Sequence, residues 1–353
     1  MKKFLKTLKD KLNIKIISSF SFKPFKCNKK VFTYLGFTLP LLLAIGGASL
    51  GFIESNKKNN LNVLVEVKSN KLHKRVYLIS KDHLTVPLTV ELEKRNTLQE
   101  YIVDIFNLLR ESSSLNNEYV KGFIKDDVAL NSFEIVNANL NLDLSEEFLS
   151  SSKEDEIHIF EALTLSFVQF DEIDSLTISV NGNKFTSFSD STYKIPPILD
   201  KSIGINNKFQ STLDIINKER VTIFYSKEVD EKTSYLIPLT FYEEGKNKTV
   251  AFVNALQEKE DYTLELKYIE TYKSISLEQK ESEEYSFTIE EEALVDEDVV
   301  SKDLYNLVSL SLDLMGVTSK VSFVLEGEIM QVDGIYSEED MEVSSIIYNS
   351  VSI

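Results

Sequence analysis

The sequence predicts a mixed α/β (α+β) fold, with an N-terminal transmembrane helix followed by two tandem domains that combine strands and helices. Three observations lead to this prediction. Strand and helix patterns alternate along most of the chain, and a long segment near the N-terminus carries no charge. In addition, Leu-Thr-Val-Pro-Leu-Thr (residues 84–89) is echoed by Leu-Ile-Pro-Leu-Thr (residues 236–240). A chain of 353 residues that is 42% apolar accommodates about two domains with hydrophobic cores.

The charge of the chain is unevenly distributed. Residues 1–53 contain ten lysines and one acidic residue, Asp10, and therefore carry +9. Because the whole chain carries −17, residues 54–353 carry −26. So acidic a region repels phosphate groups, which argues against nucleic acid as its partner. The single cysteine, Cys27, excludes an internal disulfide framework.

The uncharged segment is long enough to cross a membrane. It comprises 23 residues, 31–53, which as a helix would extend about 34 Å, whereas a bilayer core is about 30 Å thick. Lysines precede it, which predicts a cytoplasmic N-terminus and an extracytoplasmic location for residues 54–353. A cleaved signal peptide is the alternative, but the long basic leader before the segment favours an uncleaved anchor. Gly47 and Gly51 form a G-x-x-x-G pair that would permit self-association of spanning helices.

The first half of the outside region has a clear order of elements. Two strands flank a turn near Lys81, and Thr97 with Glu100 forms a capping box at the start of a helix. A hairpin with its turn at residues 137–139 follows. Ser152 and Asp155 are candidate caps of a second helix, whose buried stripe comprises Phe160, Leu163, Phe167 and Phe170.

The second half repeats this order. It offers two strands, a short helix over residues 249–256, strands over 272–277 and 285–289, and a helix over 298–314. The separation in sequence from Arg75 to Gly182 equals that from Arg220 to Gly327, whereas the two prolines lie slightly farther apart than these landmarks predict. Duplication explains this register better than chance. We therefore expect Pro87 and Pro238 to occupy equivalent positions at the start or edge of a strand.

The predicted organisation has seven parts. These are a basic cytoplasmic head (1–30), a transmembrane helix (31–53), a linker (54–71), a first domain (72–190), a second linker (191–217), a second, divergent domain (218–335) and a C-terminal tail (336–353).

The first repeat resembles the GerMN domain, which is found in tandem in sporulation and germination proteins of the GerM type. The resemblance rests on V-P-L-T before the capped helix and on three later segments: L-D-L-S-E-E-F (142–148), A-L-T-L-S-F (162–167) and I-S-V-N-G (178–182). The sequence departs from the family at Asn181, where an aspartate is common, and at Gly122, which alone stands for a glycine- and proline-containing stretch.

The resemblance covers about residues 72–185, and more weakly residues 218–330. It implies, for each of two tandem domains, a compact β-α-β-β-α-β unit similar to the ring-building domains of trans-envelope assemblies. It also implies a non-catalytic, membrane-attached scaffold that helps to assemble or localise a larger complex in a bacterium. The family supplies no catalytic residues.

Residue patterns for chemistry are sparse. His73 and His83 have no usual metal spacing, and we interpret His158 as a solvated ring. Ser145 has no histidine placed to activate it, so we expect it to turn the chain out of a strand. The acids at 143, 146 and 147 lack the alternation of a calcium loop. The acid-rich stretch 281–292 is predicted to be a protected edge strand, with an electrostatic surface for a basic partner or for divalent ions of the cell wall as the alternative.

The sequence therefore predicts no catalytic, cofactor-binding or metal-binding residues and no enzyme activity. We expect a scaffold in the cell membrane with membrane or envelope proteins as partners. The alternative is an extracellular binding protein for a cell-wall ligand such as peptidoglycan, or for a cation. An enzyme that uses Ser145 or His158 ranks third.

Overall fold

The computed structural model describes residues 72–151, 154–188, 195–207, 217–258, 266–277, 284–317, 320–335, 343 and 346–351. The first repeat contains eight strands and two α-helices within these residues. In chain order they are β1 (Leu72–Ser80), β2 (Thr85–Leu92), α1 (Leu98–Leu108), β3 (Val120–Lys121), β4 (Leu130–Val136), β5 (Asn139–Leu144), α2 (Glu156–Phe167), β6 (Ser175–Val180), β7 (Asn183–Lys184) and β8 (Leu199–Asp200).

The second repeat follows the same plan. Its elements are β9 (Glu219–Glu228), β10 (Ser234–Glu243), α3 (Lys248–Glu258), β11 (Ile275–Leu277), β12 (Glu284–Ile289), β13 (Leu294–Asp296), β14 (Val299–Val300), α4 (Lys302–Leu314), β15 (Lys320–Leu325), β16 (Glu328–Ile329), β17 (Gln331–Val332) and β18 (Ser350–Val351).

Each repeat combines an antiparallel hairpin with a sheet whose main strands follow one topology. The hairpins are β1–β2 and β9–β10. The sheets have the orders β4-β5-β6-β7 and β11-β12-β15-β16. In both sheets the second and third strands are parallel, as the crossover through α2 or α4 requires. The three later strands of each sheet are related by the same sequence offset that separates Gly182 from Gly327.

Shared turns support the duplication. The β6–β7 turn places Asn181 and Gly182 at φ 48° and 74°, and the β15–β16 turn places Glu326 and Gly327 at φ 51° and 88°. Two consecutive residues with positive φ are typical of the tight hairpin turns that match strand twist. The predicted hairpin turn after β4 is of the same kind, with Asn137 at φ 51°.

Pro87 and Pro238 occupy equivalent positions, as expected, and both are buried. Pro87 lies opposite Tyr77, and Pro238 lies opposite Phe224. Both positions are inside the strand, not at its first residue. Their backbone nitrogens need no partner, since proline has no N–H to donate.

The hairpin register corrects one feature of the sequence alignment. Arg75 lies opposite Thr89, two residues after Pro87. The residue in that position of the second hairpin is Thr222, which lies opposite Thr240. The equal spacing from arginine to glycine therefore matched two arginines that are not equivalent, because β9 is shifted by two residues relative to the three later sheet strands.

The predicted helix starts need correction at two places. The capping box of Thr97 and Glu100 is confirmed at α1. At α2, however, Asp155 makes no capping hydrogen bond, and Ser152 lies outside the described residues. In the second repeat α4 begins at Lys302 after the Ser301 cap, because the residues expected to start it form β14.

The acid-rich stretch is not an edge strand, so that prediction was wrong. Its strand, β12, pairs with β11 on one side and with β15 on the other. Phe287 and Ile289 are buried there. The acids Glu290 to Glu292 instead leave the strand into a short 3₁₀ turn at Glu291–Ala293, the position that Glu146–Ser150 takes in the first repeat.

Parts of the expected linker and tail join the folded region. β8 lies in the range predicted as a linker and pairs with β6, and β18 lies in the predicted tail and pairs with β2. One continuous core of buried apolar side chains includes residues from both repeats. No helix within the described ranges is long and apolar enough to span a membrane. The predicted anchor, residues 31–53, lies outside those ranges.

Candidate functional site

An asparagine after β8 connects the two repeats. Asn206 is 1% exposed and has a φ of 49°, which asparagine tolerates better than most residues. Its Oδ1 accepts a hydrogen bond from Thr85 N at 2.7 Å. Its Nδ2 donates to Thr85 O at 2.8 Å and to Pro238 O at 2.9 Å. One side chain therefore joins β2 of the first repeat to β10 of the second.

A second asparagine makes the reciprocal connection. Asn349, just before β18, has a φ of 48°. Its Oδ1 accepts from Leu236 N at 2.8 Å, and its Nδ2 donates to Leu236 O and Pro87 O, each at 2.8 Å. Leu236 precedes Pro238 by two residues, as Thr85 precedes Pro87. The two bridges are therefore related by an approximate two-fold exchange of the repeats.

Backbone geometry explains why the bridges form on these strands. β2 and β10 are in contact, and each has backbone groups that bind an asparagine side chain. Buried amides and carbonyls need partners, and a primary amide satisfies an N–H and a C=O together. We call Asn206 and Asn349, with the backbone groups they bind, the asparagine bridges.

A buried carboxylate lies beside the first bridge. Glu161 on α2 is fully buried and accepts hydrogen bonds from Thr85 Oγ1 at 2.7 Å and Asn206 N at 3.0 Å. Asn207 Nδ2 donates to its other oxygen at 3.2 Å. His158 Nδ1 lies 3.0 Å from Oε2 of the same carboxylate. A buried carboxylate with this many polar partners organises the chain around it, since leaving a buried polar group unpaired is costly.

The other side of the interface has an ion pair. Arg75 on β1 lies 3.3 Å from Asp313 on α4, and its Nη2 donates to Val343 O at 2.7 Å. Lys201 contacts the same carboxylate at 3.1 Å. The guanidinium also lies 5.6 Å from the ring centre of Tyr348. Burial raises the pKa of Tyr348 to about 12, so this phenol stays neutral at physiological pH.

The histidines differ from the sequence-based interpretation. The prediction that His158 is solvated was wrong, because its side chain is only 19% exposed and belongs to the Glu161 network. His83 is 54% exposed and its Nδ1 lies 2.6 Å from Asp155 Oδ1. That hydrogen bond raises the pKa of His83, and it explains why Asp155 does not cap α2.

The polar residues around the family-like segment have structural contacts. Ser145 follows β5, and its Oγ accepts a hydrogen bond from Ala129 N at 2.9 Å, which agrees with its expected role in turning the chain. Asp143 Oδ1 accepts from Gly182 N at 2.7 Å and so supports the β6–β7 turn. The described part of the chain contains no group of histidine, cysteine and acidic residues able to hold a metal ion.

Gly122 is explained by close packing. A Cβ atom at this position would lie 2.0 Å from the carbonyl oxygen of Arg110, so no other residue fits without moving the backbone.

The first repeat has a shallow groove between α1 and β4. Its volume is about 290 Å³. The lining residues are Arg95, Gln99, Glu100, Val103, Asp104 and Phe133. Val103 is 40% exposed, so the floor of the groove is apolar and open to solvent.

Comparison with known families accounts for this architecture. Residues 75–186 match the family model described as "Germane: Sporulation and spore germination". The first repeat is therefore similar to the GerMN domains of that family. This confirms the resemblance identified in the sequence, and the matched residues coincide with the first repeat.

Two similar proteins extend the GerMN comparison. The spore germination protein GerM of Bacillus subtilis (strain 168) is 24% identical over 172 residues, which cover 49% of this chain and 47% of that relative. The match thus spans about half of GerM. The structure of the tandem GerMN domains of B. subtilis GerM has a TM-score of 0.62 at 20% identity, covering 76% of this chain and 95% of that one. The fold is therefore that of tandem GerMN domains.

Sequence reasoning missed the asparagine bridges and Glu161. Asn206 and Asn349 lie in ranges expected to be a linker and a tail, and single asparagines are ordinary in such ranges. The available signal was Pro87 and Pro238, because a duplicated proline inside a strand indicates a strand whose outer side is not paired conventionally.

Proposed function

We propose that this protein is a non-catalytic, membrane-anchored scaffold that assembles or localises a sporulation- or germination-related complex of the cell envelope. The observation that carries the proposal is the pair of asparagine bridges. They make two interaction domains into one body, which is useful for holding partners at fixed positions. The similarity to the spore germination protein GerM over about half of that protein supports a role in sporulation or germination.

The predicted transmembrane helix determines on which side of the membrane each part of the scaffold lies. Residues 31–53 hold it in the membrane, residues 1–30 remain in the cytoplasm, and the GerMN repeats lie outside. The G-x-x-x-G pair, Gly47 and Gly51, brings two anchors together. Partners are then membrane or envelope proteins within reach of the outer surface.

The test is affinity purification of the tagged full-length chain after chemical crosslinking in intact cells. We expect defined membrane proteins to be recovered, and in lower yield when Asn206 and Asn349 are both changed to glycine. Ile329→Glu, a substitution at an exposed position, serves as the matched control. Recovery of peptidoglycan fragments without membrane proteins would contradict the scaffold and support the cell-wall alternative.

A further inference from the structure

We propose that the groove between α1 and β4 docks an extended, cationic segment of a partner protein, which adds to the sheet beside β4. This inference rests on the proposed scaffold function and names the surface and partner chemistry that the function requires. The groove lies on the first repeat, and none of its lining residues takes part in the asparagine bridges.

The first supporting observation is the unpaired edge of β4. Among the described residues β4 pairs only with β5, so its other side offers a row of backbone donors and acceptors. Proteins usually protect such an edge with lysine, proline or a covering segment. β4 reads Leu-Asn-Ser-Phe-Glu-Ile-Val, and its register with β5 shifts between Leu130 and Ser132. From Ser132 to Val136 the pairing is regular, and this part contains neither lysine nor proline. An extended peptide can bind such an edge by strand addition.

The second observation is the apolar surface beside that edge. Val103 on α1 is 40% exposed, and Phe133 on β4 is partly exposed in the same groove. A strand added at this edge would point alternate side chains at Val103 and Phe133, where apolar groups lose contact with water.

The third observation is the charge of the rim. Arg95, the cation that lines the groove, is already held by Asp104, with its Nε and Nη2 at 2.6 and 3.2 Å from the two carboxylate oxygens. Glu100 lines the groove, and Glu134 is exposed on the opposite face of β4. The groove thus favours positive charge. Side chains alternate between the two faces of a strand. We therefore expect the partner segment to alternate apolar residues, which face Val103, with basic residues, which face Glu134.

The second repeat provides an internal comparison. There the corresponding helix α3 packs directly against the corresponding strand β11. Gln257 Nε2 on that helix donates to Ile275 O at 3.0 Å. A helix side chain therefore already uses a backbone group of that strand, whereas α1 leaves β4 open.

The binding test uses the purified full-length chain and three fluorescent decapeptides followed by anisotropy. One alternates lysine with valine, one alternates glutamate with valine, and one has the lysine–valine composition in two blocks. We expect the alternating lysine–valine peptide to bind at least tenfold more tightly than either of the others. The peptide with lysine and valine in two blocks is the control: it has the same charge as the alternating lysine–valine peptide, so it measures nonspecific attraction to an acidic protein.

Two variants locate the site. Val103→Glu should weaken binding of the alternating lysine–valine peptide at least tenfold, whereas Ile329→Glu, at an apolar position of the second repeat that is 73% exposed, should not. Glu134→Lys, on the exposed face of β4, should shift the preference toward the alternating glutamate–valine peptide without affecting folding.

The proposal would be overturned if the alternating lysine–valine peptide and the peptide with lysine and valine in two blocks bound equally tightly. It would also be overturned by equal losses in the Val103→Glu and Ile329→Glu variants, or by an unchanged preference in Glu134→Lys. If the peptides fail while crosslinking still recovers membrane proteins, the groove assignment is wrong and the scaffold function stands. If crosslinking recovers no membrane proteins, the scaffold function fails as well.

Discussion

The two repeats share a backbone plan and differ in the side chains they bring to their common interface. The asparagine bridges are reciprocal: each binds the backbone of one repeat two residues before its proline and the carbonyl of the proline in the other repeat. By contrast, α2 contributes the fully buried Glu161, whereas α4 contributes Asp313, which pairs with Arg75. The hydrogen bonds to the main chain are therefore related by the approximate two-fold exchange of the repeats, whereas the contacts of the charged side chains are not.

This contrast has a physical basis. A bridge to backbone N–H and C=O groups depends on strand position and not on the identity of the strand's side chains. Substitutions along β2 and β10 therefore leave the bridges intact. A buried carboxylate needs a matching set of donors, so Glu161 can be kept only where Thr85, Asn206 and Asn207 remain together.

The largest expected effect comes from removing a bridge. Asn206→Gly keeps the positive φ but leaves Thr85 N, Thr85 O and Pro238 O without their partner. We expect it to lower the free energy of unfolding by about 3 kcal/mol, since each unsatisfied buried group costs about 1–3 kcal/mol and water recovers part of this. Chemical denaturation of the full-length chain measures the change.

The reciprocal change calibrates this prediction. Asn349→Gly should cost about 2 kcal/mol, less than Asn206→Gly because Asn349 is only partly buried. If neither substitution lowers the free energy of unfolding by more than the glycine effect of about 1 kcal/mol, the bridges do not hold the repeats together.

The next effect tests the asymmetric carboxylate. Glu161→Gln replaces one acceptor oxygen by an NH₂ group, which then faces donors from Thr85, Asn206 or Asn207. We expect a loss of about 2 kcal/mol in the free energy of unfolding, measured as above. A neutral result would mean that rotation accommodates the amide of the substituted side chain, and that the Glu161 carboxylate does not organise the interface.

The ion pair on the opposite side should matter less. Asp313→Asn removes the charge shared by Arg75 and Lys201, and all three side chains are partly exposed to solvent. We expect a loss of about 1 kcal/mol that shrinks at high salt, because screening weakens partly exposed pairs. A loss as large as that of Glu161→Gln would remove the proposed asymmetry between the two sides.

The sequence predicted the fold well where local chemistry determines it. The capping box at α1, the hairpin turn at Asn137 and the closing turn at Gly182 are confirmed, because each depends on a few neighbouring residues. Pairing between distant segments was less predictable. That β12 is an interior strand, and that Asn206 meets the distant Thr85, depend on how the repeats pack.

The smallest effect separates a surface contact from the interface. The hydrogen bond to Asp155 raises the pKa of His83 above 6.5, so the protonated form is favoured in the folded state. This contribution to stability is fully present below pH 6.5 and is lost as the pH rises through the raised pKa of the folded state. His83→Asn, which tolerates the φ of 54°, should cost a few tenths of a kcal/mol at pH 5.5 and less at pH 8.5. A cost that is equal at both pH values would assign the contact to neutral hydrogen bonding.

Because His83 is on the β1–β2 turn, outside the asparagine bridges, the loss of stability caused by Asn206→Gly should not change over the same pH range.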